Sequence, residues 1–170
     1  MDGDAGQQGG QAAEPPTLNG GCFCGKACFQ AAGPVVMVYN CHCTICQRLH
    51  GAPFARFVYF APGAITPKAG SEEFVGSFRT SETVVRYHCR VCASPLYGEI
   101  NPKGFECTCC PLTALERGPD GRVLGLEGLK PMGHNYYVHR VADADDDLPK
   151  NDALPPGFES LDCGKMYPHC

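Results

Sequence analysis

Cys41-His42-Cys43-Thr44-Ile45-Cys46 places three thiols within six residues, with a histidine between the first two. Thiolates bind zinc strongly, and a complete protein cage supplies four ligands in a tetrahedron. Three close cysteines therefore either wait for a distant fourth ligand or leave one metal position open to a water or a substrate sulfur. Candidates for a closing ligand are His42, His88, Cys107, Cys109 and Cys110. A third reading makes the three thiols small core residues.

Two further pairs flank this cluster. Gly20-Gly21-Cys22-Phe23-Cys24-Gly25 puts two thiols on one side of an extended chain, between glycines that permit a tight turn. Cys89-Arg90-Val91-Cys92 is a C-x-x-C knuckle. Each pair is half of a tetrahedral site, and Cys22, Cys24, Cys89 and Cys92 together would make a closed structural zinc. A thioredoxin-like redox motif is disfavoured, because the strand-like Ser94-Pro95-Leu96-Tyr97 follows where a helix would be needed.

Composition agrees with metal binding. Thirteen of 170 residues are cysteine, an odd number, and no secretion signal opens the chain, which favours a reducing, cytoplasmic setting over a disulfide scaffold. A net charge of −4 with no basic run argues against a nucleic-acid partner. No apolar run is long enough for a membrane-spanning helix.

The 21 glycines and 15 prolines favour short strands over long helices. Strands are predicted over 34–39, 52–60, 94–100, 105–110 and 134–141, with 73–78 and 83–89 as the arms of a hairpin through Arg79–Glu82. One helical turn over 47–51 is expected to stop at Gly51. Residues 1–17, lacking aromatics and β-branched residues apart from Thr17, read as a disordered tail, 18–141 as the folded domain and 142–170 as an irregular C-terminal tail. Cys28, Cys107, Cys109 and Cys110 are expected in the core, and Cys163 and Cys170 as free thiols of the tail.

Three blocks stand in order: Gly20–Gly25; Cys41–Cys46 with Gly51-Ala52-Pro53-Phe54; and Arg86–Leu96. Pro131-Met132-Gly133-His134 follows before the last strand. In these the chain resembles the glutathione-dependent formaldehyde-activating enzyme family, which includes the centromere protein V group. The resemblance implies an all-β, Mss4-like (β-tent) fold of short antiparallel strands stapled by zinc, with two Zn²⁺ per chain. Cys22, Cys24, Cys89 and Cys92 would hold the structural ion, and Cys41, Cys43 and Cys46 the catalytic one.

The implied reaction joins the glutathione thiol to formaldehyde, giving S-hydroxymethylglutathione, a carbon–sulfur lyase step in reverse. Three thiolates with Zn²⁺ carry net negative charge, which favours thiol activation over carbonyl polarisation. His42, His50 and Arg48 are the nearest candidates for proton transfer or carboxylate binding, with His42 expected to point away from the metal. The chain departs from the family at Gln47, where a basic residue is common, and at Ala93, where glycine is usual and a positive φ would be strained. The competing functions are a non-catalytic zinc-binding interaction module and, on the six extra cysteines, a metal buffer or redox sensor.

Overall fold

The computed structural model describes residues 17–101, 105–126 and 130–158. It is all-β with one short helix, as expected. The strands are β1 (Leu18–Gly21), β2 (Cys28–Ala31), β3 (Met37–Cys41), β4 (Ala55–Phe60), β5 (Ile65–Pro67), β6 (Val75–Arg79), β7 (Val84–Cys89), β8 (Pro95–Ile100), β9 (Cys107–Pro111) and β10 (His134–Asn135). They form a three-stranded sheet, β1-β2-β5, and a seven-stranded sheet, β10-β3-β4-β9-β8-β7-β6. Every pairing is antiparallel except β10 with β3.

Strand alternation sorts the apolar residues into two cores. Val58 and Phe60 of β4, Leu96 of β8 and Cys110 of β9 pack with Phe29, Ile65 and Leu18 of the small sheet. Ala55 and Phe57 of β4 and Cys109 of β9 turn the other way and pack with Cys41, Cys43 and Cys46. β4 and β9 are thus covered on both faces, which is why their sequences read as nearly continuous apolar runs.

The helix α1 runs Thr44–His50, starting three residues earlier than expected. Cys43 is its N-cap, its sulfur accepting from the Cys46 N–H, and Gly51 ends it in the left-handed region at φ 57°. The 75–79 and 84–89 hairpin is as predicted. β2 and β5, four and three residues long, escaped prediction because such short segments show no period.

The strand expected over 134–141 is corrected to two residues. Asn135 pairs with Cys41, the last residue of β3, so no partner remains beyond it. Tyr136 then takes φ 55°, and Tyr137–His139 form a 3-10 turn. Residues 149–153 return against this segment: Pro149 accepts from the His134 N–H, and Asn151 and Ala153 accept from those of Tyr137 and Tyr136. Gly133 permits that approach, since a Cβ there would lie 2.8 Å from the Pro149 carbonyl. Cys163, Cys170 and residues 1–16 lie outside the described residues.

Candidate metal centres

The first cysteine group joins the two sheets. Cys22 and Cys24 lie in the β1–β2 turn, while Cys89 ends β7 and Cys92 lies in the β7–β8 turn. All four sulfurs lie within 4.8 Å of one another. The Cys22–Cys24 and Cys24–Cys89 separations are 3.5 and 3.8 Å. A tetrahedron with Zn–S bonds near 2.3 Å has edges of about 3.8 Å, so the donor set fits zinc.

Main-chain donors surround these sulfurs. The Ala27 N–H donates to Cys22 and the Val91 N–H to Cys89. The Ser94 hydroxyl, 3.2 Å from Cys92, and the Ser94 backbone hold that thiol down at about 5. Such bonds orient ligands and stabilise their anionic form. The knuckle closes through Ala93 at φ 60°, whose N–H donates to the Cys89 carbonyl. The positive φ expected after Cys92 is therefore real, and an alanine adopts it. All eleven described cysteines are free thiols.

The second group is Cys41, Cys43 and Cys46, all buried, with sulfurs within 4.8 Å of one another. Three positions in two elements converge because β3 ends at Cys41 and α1 begins immediately, with Cys43 as its cap. Among the described residues no fourth histidine, cysteine or carboxylate joins them at that range. Hydrogen bonds from Cys41 and Cys46 hold the Cys43 thiol down at about 3, while the same contacts push Cys41 well above its usual value. Left to themselves, the three thiols share one negative charge. This donor set too can hold a thiophilic metal.

His42 is buried and does not face solvent. Its Nε2 lies 2.7 Å from His134 Nδ1, and His134 Nε2 lies 3.0 Å from the Asp146 carboxylate. The carboxylate assigns the proton to His134 Nε2, so His134 Nδ1 accepts from His42 Nε2–H. Burial is the largest of the causes that lower the His42 pKa. His42 Nδ1 has no partner. This chain of rings fixes the peptide between two cluster cysteines and ties it to the 142–158 segment.

Arg86 is the residue that sequence reasoning left without a role. Cross-strand pairing runs Tyr59–Cys109–Gly98–Arg86–Phe78 across one face of the large sheet. Gly98 offers no side chain, and a Cβ there would lie 3.1 Å from Arg86 Nη1. The guanidinium therefore lies across β8, donating from Nη2 to Cys46 Sγ at 3.7 Å and from Nη1 to Cys109 Sγ at 3.8 Å. It also covers the Phe57 ring at 5.2 Å. Burial alone would lower its pKa, but the Cys46 and Cys109 sulfurs more than reverse this, and it stays charged. Only strand parity before Cys89 hinted at this placement.

His50 packs edge-on against Phe57, and burial followed by the Arg86 charge depresses its pKa to about 4. It lines a cavity of about 160 Å³ with Arg86 and His88, and a second one of about 540 Å³ with Cys22, Phe23 and Ser94. Arg48 is exposed on α1. Gln47 donates to the carbonyls of Pro53 and His139, pinning α1 to the 3-10 turn. Cys107, Cys109 and Cys110 are buried, whereas Cys28 is only half-buried, its thiol donating to the Gly25 carbonyl.

A family model described as glutathione-dependent formaldehyde-activating enzyme matches residues 17–137, a span that contains both cysteine groups. The chain belongs to this family. Among solved structures it is similar to a Rhodobacter sphaeroides protein, at 19% identity and a TM-score of 0.48, covering 62% of this chain and 96% of that one. No curated protein matches it. Within the family, the two cysteine groups described above are the features through which this chain can bind metal.

Proposed function

We propose that this chain is a zinc-dependent enzyme of the carbon–sulfur lyase type, forming or cleaving a thiol–aldehyde adduct such as S-hydroxymethylglutathione from glutathione and formaldehyde. The observation that carries this reading is the contrast between the two groups. Four sulfurs at tetrahedral spacing staple the sheets, while three buried sulfurs converge with no fourth ligand atom at hand, next to Arg86 and Phe57, which line a cavity. In this reading Cys22, Cys24, Cys89 and Cys92 hold one Zn²⁺, and Cys41, Cys43 and Cys46 hold the other. Bound there, zinc would lower the pKa of a substrate thiol and raise its nucleophilicity at neutral pH.

The chain's own residues supply the surroundings. Arg86 balances the net negative charge of three thiolates and a dication, which is costly to bury alone. In this reading His50, left neutral by burial, is the group that would take up the proton released by the thiol. His42 acts as a positioning residue through His134 and Asp146. The 540 Å³ cavity, which meets the smaller one at His50, is of a size for a tripeptide thiol. The free thiols among the described residues suit a reducing, cytoplasmic setting.

The test is zinc per chain on protein purified under reductant, with Cys46→Ser as the comparison, followed by assay of adduct formation. Two zincs falling to one, with loss of adduct formation, is the expected result. One zinc in both proteins would overturn the reading. The second reading, a non-catalytic interaction module, rests on Phe23 and Val91, which stand 94% and 58% exposed at the tips of the two knuckles. Two zincs with no adduct formation would favour it.

A further inference from the structure

The 160 Å³ cavity between α1, β7 and β8 is lined by Phe57 and Phe78 together with Arg86 and His88, two side chains that each keep a buried, unpartnered polar atom. Arg86 is a half-buried cation whose hydrogen-bond acceptors are two sulfurs, both long contacts, and its buried Nε has no partner. Among the described residues, none of the ion pairs brings a carboxylate to it. His88 Nδ1 is likewise buried and unpartnered. The His88 ring lies over Gly76, where a Cβ would come within 2.8 Å, and against Phe78 at 5.5 Å. Buried donors are ordinarily satisfied, and a guanidinium is matched best by a carboxylate.

We propose that this cavity binds a small organic acid, with its carboxylate on Arg86 and its apolar body against Phe57, Phe78 and Tyr87. The inference names a substrate class for the three-cysteine site and to that extent rests on the function proposed above. Two dimensions define the class. A space of 160 Å³ takes a body of roughly five to eight non-hydrogen atoms, well above formaldehyde. Arg86 touches Cys46 itself, so an acid group held there sits beside the cluster. Only a molecule whose reacting atom is about one to three bonds from its carboxylate can also present that atom to the cluster. A 2-oxo acid and a 2-mercapto acid both meet this requirement; they share the acid and differ in whether the carbonyl or the sulfur is delivered.

The experiment titrates zinc-loaded protein with 3-methyl-2-oxobutanoate, with 2-mercapto-3-methylbutanoate and with the amide of each, by calorimetry and by amide NMR. At least one acid is expected to bind about tenfold more tightly than its amide, with shifts at His50, Arg86 and His88. The oxo acid alone would identify a carbonyl substrate, and the mercapto acid alone a thiol substrate. Arg86→Gln should abolish the preference. Phe78→Glu, at the exposed rim, should weaken acid binding about tenfold while zinc content stays the same, which guards against an Arg86 variant that loses metal.

Equal binding of acids and amides, or no binding by either acid, overturns the inference. Acid binding in a protein that forms no thiol–formaldehyde adduct leaves the inference standing and removes the lyase reading. Adduct formation in a protein whose rate neither acid inhibits does the reverse.

Discussion

A single alanine holds a backbone conformation that costs it some stability. Ala93 holds φ 60° between Cys92 and Ser94, a conformation that costs an L-residue with a Cβ roughly 1–2 kcal/mol and glycine almost nothing. The Cys89–Ser94 loop tolerates it because the Ala93 N–H reaches the Cys89 carbonyl and the Cys89 N–H reaches the Ser94 carbonyl. Ala93→Gly should therefore stabilise the zinc-loaded protein by about 1 kcal/mol, part of the gain being offset by the freer unfolded chain. Chemical denaturation measures this directly, and an unchanged or lowered stability would refute it. The strain was legible in the sequence because a C-x-x-C knuckle needs a tight turn whatever surrounds it. The burial of His42 was not legible: its partner His134 lies far along the chain, and only the parallel pairing of β10 with β3 brings the rings together.

At the level of elements, register decides which side chains meet. β8 sets Gly98 opposite both Arg86 and Cys109, so the guanidinium crosses a strand at the one position without a side chain. Gly98→Ala would place a methyl 3.1 Å from Nη1 and 3.2 Å from Cδ of Arg86 and shift the guanidinium away from Cys46. The expected outcome is a zinc affinity at the three-cysteine site about tenfold weaker, in a fold as stable as the parent or slightly more so, since alanine suits a strand interior better than glycine. Chelator competition together with thermal unfolding separates the two effects. An affinity equal to the parent's would show that Arg86 does not support that site. The same register explains the cysteines of β9: Cys109 faces the cluster and Cys110 the main core, as alternation requires. The final strand failed as a prediction because its apolar pattern continues past Asn135, whereas its hydrogen-bonding partner, β3, ends at Cys41.

Across the whole molecule the two cysteine groups have different structural burdens. One joins the three-stranded sheet to the seven-stranded sheet through two turns, and the other lies at a single strand–helix junction of the larger sheet. A metal bound at the first would therefore add folding free energy, because it would hold together surfaces distant in sequence. Cys92→Ser should lower the melting temperature far more than Cys46→Ser, and chelation should unfold the parent only once the four-cysteine ion is removed. Zinc release followed alongside circular dichroism tests the order. Equal destabilisation by the two substitutions would contradict this division.

Local sequence set the all-β class, the hairpin, the helix stop at Gly51, the three-cysteine group and the two separate cysteine pairs. Those properties follow from local chemistry: ligand spacing, turn residues and alternation act over a few residues and need no distant partner. Folding over long range brings the two pairs together across two sheets, as their chemistry led one to expect, and it alone carries Arg86 to Cys46 over Gly98 and binds His42 into a relay with His134 and Asp146. These depend on strand order and register, and register is set by the sum of many weak apolar contacts across the sheet rather than by any one motif.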